Sequence, residues 1–165
     1  MTLTDSLFDT AMDTLRLCAH FHAGDFEAVS WDTMAYLRPF VLAGTLPPGP
    51  MPVWEGASED TIWGCPGDNH AFRAWHDRAH VRCRGDFDAP GEVATLHVQE
   101  VELRDFCRRT GVPLDLQVAA RRILQAEIRG QVAYQARHGV FPVRQKAFAL
   151  AYFCDQQAAV ATVFH

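Results

Sequence analysis

Glycine and proline punctuate this chain, and between them apolar residues recur three and four positions apart. That spacing is the period of an amphipathic helix. Period-two alternation is confined to stretches of a few residues, and no Asn-Gly or Asp-Gly pair marks a hairpin. The expected fold is therefore all-α: a single-domain bundle of about six helices over residues 1–165, with one long Pro/Gly-rich loop at about 45–67. Residues 4–22 give a first helix with Leu7, Phe8, Ala11, Met12, Leu15, Cys18 and Ala19 inward, closed by Gly24. A second spans roughly 25–43, with Pro39 kinking or shortening it. Five prolines and four glycines between 45 and 67 exclude a long regular element there. Trp54, Ile62 and Trp63 are too apolar for a free linker, so this loop is expected to pack over the bundle as a lid, a binding loop or a surface wrap. The third helix runs from Asp68 to Arg84, and the fourth from its cap at Asp88 to Gly111. The fifth runs from Leu114 to His138, and a sixth, apolar almost all round, starts at Pro142.

The fifth helix carries the wrong residues on its inner face. At about 100° per residue, Leu116, Ala120, Ile123, Leu124, Glu127, Gln131, Tyr134 and His138 share one side. An ionised carboxylate among them is costly unless it is paired, hydrogen-bonded or bound to a metal. Arg73, one turn before His76, is a possible salt-bridge partner for Glu127. Two other helices intrude in the same way. The third presents His76 and His80, and the fourth Glu92, Gln99 and Glu100. Histidines at i and i+4 give two nitrogens to one metal, and carboxylates from neighbouring helices complete such sites in bundles. The residues expected to hold metal are His76, His80, Glu92, Glu127 and His138, with Tyr134, Gln131 and Arg73 orienting substrate. Mixed nitrogen and oxygen donors suit zinc, iron or manganese. Each residue also has a plainer reading. Glu92 lies in a first turn, where the helix dipole favours a carboxylate, and His138 lies at a C-terminus, where it favours a cation.

The functional expectation is thus a metal-dependent enzyme acting on a small molecule, with hydrolysis favoured over redox chemistry. Two alternatives stand beside it. One is a structural or interaction protein, such as a phage encodes, whose inward polar residues form a buried hydrogen-bond network. The other is a metal-free small-molecule binding protein. The ferritin-like di-iron pattern needs Glu-x-x-His on two helices and is absent, as are a Gly-x-Ser-x-Gly elbow and phosphate-binding glycine loops. The dipeptide His76–Asp77 resembles the metal pair of the HD-domain phosphohydrolases, which are also all-helical. That resemblance covers the dipeptide alone and implies a ligand set of His22, His76, Asp77 and Asp155 or Asp115. Asp77, however, lies about 100° round the helix from His76, away from its apolar face.

Charge and composition bound the partners. Residues 1–68 hold ten acids and two arginines (−8), and residues 69–165 thirteen bases and ten acids (+3), for a net −5. A weakly acidic chain with no basic, aromatic-interleaved stripe is not expected to take nucleic acid as its main partner. Among the bases only Lys146 is lysine, a bias typical of GC-rich genomes and so of a bacterial or phage source. No run of eighteen apolar residues spans a membrane, and Met1–Thr10 is unlike a targeting peptide, so a cytoplasmic location is expected. The five cysteines lack any CxxC pair, as expected of reduced thiols. The sixth helix, apolar on most sides, is expected to be buried within the chain or in a homodimer interface.

Overall fold

A computed structural model of the chain describes residues 3–139, 142 and 144–154. It is mostly helical, with one small two-stranded sheet. The elements are α1 (Leu3–Ala23), β1 (Phe26–Val29), α2 (Met34–Ala43), β2 (Met51–Trp54), α3 (Pro66–Cys83), α4 (Ala89–Thr110) and α5 (Leu114–Gln125). After α5 come a π turn (Ala126–Gly130), α6 (Gln131–His138) and α7 (Gln145–Cys154).

The main core lies where α1, α3, α4 and α5 meet. Phe8, Met12 and Leu15 of α1 interlock with Trp75 of α3, Leu96 and Leu103 of α4, and Ile123 and Leu124 of α5. Each such side chain contributes roughly 1.5–3 kcal/mol by leaving water. Ile62 and Trp63 of the long loop are fully buried in the same core, and Trp63 stacks on Phe72 with ring centroids 4.3 Å apart. That loop packs as a wall of the domain. Arg73 holds it by donating to the carbonyls of Trp54, Gly56 (2.7 Å) and Ala57. Ser58 adds a second anchor, accepting from Asn69 Nδ2 at 3.0 Å while donating to the Glu55 carbonyl at 2.7 Å.

One expectation fails in this part of the chain, and a short strand pair is added to it. The second helix does not begin at Asp25: residues 26–29 are β1, and α2 starts at Met34, whose N–H is taken by the Asp32 carboxylate at 3.0 Å. The stretch 45–67 carries one short regular element that periodicity does not show, the four-residue strand β2. The strands pair in parallel, with Phe26 beside Met51 and Val29 beside Trp54. Met51 and Glu55 donate to the carbonyls of Asp25 and Val29. Alternate residues of β2 thus face β1, and the missing N–H of Pro52 falls on the outer edge, where no ladder bond is lost. The pairing joins residues 25 positions apart in sequence, which local periodicity does not register. The β1–α2–β2 unit buries a small second core (Leu37, Met51, Val53) against Ala71 and Ala74 of α3.

Of the sixth expected helix, residues Gln145–Cys154 are described as α7. Among residues 145–151, Phe148 and Ala149 are buried while Lys146, Ala147 and Ala151 are exposed, so that stretch is buried on one face only. No described helix is long and apolar enough to cross a membrane.

Candidate metal centre

The centre forms where α3 turns into α4. Arg84 ends α3 in the left-handed conformation (φ 55°), and the chain reverses through Gly85–Phe87. Asp88 caps α4 by accepting from the Gly91 N–H at 2.8 Å, with Pro90 in the first turn. The reversal is tight because two glycines face each other. A Cβ on Gly91 would lie 1.8 Å from the Asp86 carbonyl oxygen, and one on Gly85 only 2.9 Å from the Gly91 carbonyl oxygen. This approach carries Glu92, the next residue, over the ends of His76 and His80. Further along, α3 and α4 are fastened by Trp75 Nε1 to Glu102 (2.6 Å) and by His76 Nδ1 to Gln99 Oε1 (2.9 Å).

Three donor groups converge. His76 Nε2 and His80 Nε2 are 3.1 Å apart, Glu92 Oε2 is 3.1 Å from His76 Nε2, and Glu92 Oε1 is 3.3 Å from His80 Nε2. Ligands bound at about 2.0–2.2 Å to one ion lie roughly 3.0–3.4 Å from each other, so these spacings suit a shared cation. The other ring nitrogens are spoken for. His80 Nδ1 donates to the Gly85 carbonyl at 2.7 Å, and His76 Nδ1 to the Gln99 side-chain carbonyl. A main-chain carbonyl only accepts, so His80 carries its proton on Nδ1 and turns the Nε2 lone pair inward. Metal-binding histidines are oriented in this way. His80 has no exposed surface, whereas His76 and Glu92 keep a small solvent-facing edge (17% and 21%).

A proton or a cation can join these groups. One extra proton on His76 Nε2 satisfies Glu92 Oε2 but leaves the His80 lone pair against Glu92 Oε1. A second proton on His80 sets two imidazolium nitrogens 3.1 Å apart. A divalent ion satisfies all three groups at once. His76 and Glu92 form a favourable ion pair, and the titration reflects it. Burial alone pulls His76 down, but its bond to Glu92 and the charges of Glu92 and Asp77 outweigh this and hold it at about 9. Burial pushes Glu92 up, yet the two histidines hold it well below the usual carboxylate range.

Glu127 sits apart from these three. Among the described residues the ligand cluster is His76, His80 and Glu92, without Glu127 or His138. Glu127 is buried on the π turn, where Trp63 Nε1 donates to Oε1 at 3.4 Å and Gln131 Nε2 to Oε2 at 2.7 Å. Burial pushes its carboxyl up to about 7, which these donors and the charges of His76 and Arg73 only partly oppose. The π turn also ends the phase expected for a single long helix. One wide turn at 126–130 rotates the residues beyond it, so that Tyr134 is half-buried and His138 exposed. Their rings lie 4.3 Å apart, with Phe148 beside Tyr134, away from the ligand cluster.

The remaining sequence candidates have other partners. Arg73 is committed to the loop carbonyls and forms no ion pair with Glu127. Gln99 orients His76, and its own Nε2 is buried without a partner. Glu100 pairs with Arg121 (3.0 Å) and Gln125 (2.6 Å), clasping α4 to α5. The ligand set implied by the HD resemblance is not assembled. His22 stacks on Trp75 at 5.8 Å, Asp115 is exposed in the first turn of α5, and Asp155 lies outside the described residues. Asp77 is nearer the centre than its helical phase suggests. Burial raises it to about 6, against the pull of His76 and His80. Sequence reasoning missed Trp63 as the donor to Glu127 and Gly85 as the acceptor from His80. The Gly85/Gly91 pair flanking a short turn was the available signal for the second.

The arrangement offers an ion three protein groups, an edge open to solvent, and a buried carboxylate within electrostatic reach that is no ligand. No protein-family model, curated protein or solved structure matches the chain, so the reading of this centre rests on its geometry alone.

Proposed function

We propose that the protein is a metal-dependent enzyme in which His76, His80 and Glu92 hold a divalent ion (zinc, iron or manganese) and act on a small molecule. The supporting observation is the set of three lone-pair groups within 3.3 Å of one another, two of them histidines whose outer nitrogens donate to carbonyls. A bound ion supplies a Lewis acid and lowers the pKa of its water. Glu127, buried and held near 7, suits proton transfer at neutral pH, which favours hydrolysis. A buried structural network is the second reading. What favours it is the Glu127 half of the interior, whose carboxylate is satisfied by Trp63 and Gln131 alone.

The test is elemental analysis of protein purified without metal-affinity resin, before and after dialysis against zinc, iron(II) and manganese. Stoichiometric metal is expected in the wild type and in Glu127→Gln. It should be lost from Glu92→Gln, which keeps the shape of the side chain, and from His80→Ala. A wild type that takes up none of the three ions overturns the proposal and leaves the structural network.

A further inference from the structure

We propose that the open edge of β1 takes up an extended, basic segment of a partner protein as a third strand of the sheet, with the exposed ridge of Trp31 and Tyr36 as its apolar footing. This surface is separate from the His76, His80 and Glu92 centre and does not depend on an ion there. Three observations carry it.

The first is the alternation of the sheet. Met51 and Glu55 donate to the carbonyls of Asp25 and Val29, so Asp25, Glu27 and Val29 turn their backbone groups toward β2. Phe26 and Ala28 turn theirs the other way, onto the free side of a two-stranded sheet. Among the described residues no hydrogen bond is made to the backbone N–H or C=O of either. The opposite edge is closed. Pro52 has no N–H to offer there, and the Trp54 carbonyl accepts from Arg73. Proline and covering groups protect a sheet edge from pairing, and β2 has both where β1 has neither.

The second is what flanks the open edge. Just beyond β1, Trp31 meets Tyr36 edge-on at 5.5 Å, and Tyr36 meets Phe40 at 5.3 Å. Trp31 and Tyr36 remain 45% and 41% exposed, and Met34 between them 52%. Exposed aromatic side chains and methionine are enriched in surfaces that bind polypeptide, and a free strand edge beside them offers main-chain pairing.

The third is charge, which selects the occupant. Asp25 and Glu27 share one face of the strand, Asp32 follows, and all three are exposed in the part of the chain that carries −8. Arg78, whose guanidinium reaches this strand, is committed to the carbonyls of Ala23 and Asp25. A second copy of the chain paired edge to edge would bring Glu27 within about 7–8 Å of its own counterpart, an unfavourable like-charge neighbour. A segment with lysine or arginine at every second position instead lays a row of cations beside these carboxylates and keeps its other row for apolar contact.

The experiment titrates the wild-type chain with a fluorescein-labelled heptapeptide of alternating lysine and valine, beside its glutamate–valine counterpart. Affinity is read by anisotropy, and amide hydrogen exchange is followed residue by residue by NMR. The lysine peptide should bind at least about tenfold tighter than the glutamate peptide. At saturation it should slow exchange at Ala28 by at least about tenfold, while Glu27 and Val29, already paired with β2, change by less than about twofold. Ala28→Pro removes the outward N–H as Pro52 does on β2 and should weaken binding by at least about tenfold. Glu27→Lys should reverse the preference between the peptides. If Ala28→Pro does not fold, the exchange pattern of the wild type decides alone. Binding of the lysine peptide without slowed exchange at Ala28 is charge attraction only and overturns strand addition. Equal affinity for both peptides overturns the basic partner, and binding of neither overturns the surface. Self-association of the peptide-free wild type in sedimentation velocity, with exchange at Ala28 slowing as protein concentration rises, gives the edge to a second copy and overturns the choice of occupant.

Discussion

The polar interior has two halves, and both look alike as sets of misplaced residues. At the α3–α4 turn, His76, His80 and Glu92 bring three groups within 3.3 Å of one another, and the Nε2 proton of His76 is held by Glu92. On the π turn, Glu127 is equally buried, yet Trp63 and Gln131 bring it the donors it needs. The first half needs a proton on His76 to join its groups, and in the proposed enzyme a cation takes that proton's place. The second is complete as it stands, and its carboxyl answers burial by staying protonated up to about 7. Burial of a polar side chain therefore says little about a ligand. What decides is whether its donors and acceptors balance.

The strongest way to break this comparison is to remove one lone pair from the first half. Glu92→Gln is expected to weaken metal binding by about 100-fold or more, read by competition with a chelating dye. The same change at Glu127 should leave affinity within about threefold; equal losses in both would erase the distinction between the halves. Gly91→Ala acts on the same half from outside the ligand set. Its Cβ must displace the Asp86 carbonyl and move the start of α4. It should cost about 2–3 kcal/mol in denaturant unfolding and lower metal affinity together.

The two halves also separate by pH. Glu127 has a folded pKa of about 7 against an ordinary 4.5, so the unfolded chain ionises first. Stability of the ion-free protein is full below 4.5 and falls, by on the order of 3 kcal/mol, as pH rises to about 7. Glu127→Gln should flatten that fall. His76, raised from 6.5 to about 9, contributes stability that is fully present below 6.5 and is lost as pH climbs through 9. A saturating divalent ion replaces its proton and should remove this second fall while leaving the first. A melting curve in which the ion alters neither slope contradicts the assignment of His76.

Smaller effects sharpen the picture. Gln99→Leu removes the acceptor that orients His76 and should weaken metal binding about 10- to 100-fold without changing the fold, checked by circular dichroism. Tyr134→Phe and His138→Ala lie beyond the π turn. They are expected to change stability by less than about 0.5 kcal/mol each and metal affinity not at all. A loss of metal on His138→Ala would reinstate the continuous helical face from Leu114 to His138.

Much of this architecture is legible in the chain. Helical periodicity locates α1, α3 and α4 closely, and Asp88 with Pro90 and Gly111 marks both ends of α4. His76 and His80 declare a shared face by their spacing, and Glu92 joins them once the helices are set side by side. Three features are not legible. β1 and β2 are held by each other across the whole of α2, so neither is a strand by itself. The π turn is one extra residue in a helical ladder, invisible to a count of about 100° per residue, and it alone removes Tyr134 and His138 from the line of Glu127. Arg73 stands one turn from His76, and only the position of the loop shows that its donors are engaged elsewhere.

The sequence by itself determined the helical class, the helix ends written in glycine, proline and aspartate, and the two imidazoles on one face. Those are local consequences of spacing and backbone preference. The tertiary structure decided which carboxylate meets those imidazoles and which is left to itself. Glu92 and Glu127 are the same residue type on inward-facing helical positions. A close glycine contact at one end of the bundle and a single widened turn at the other send them to different company.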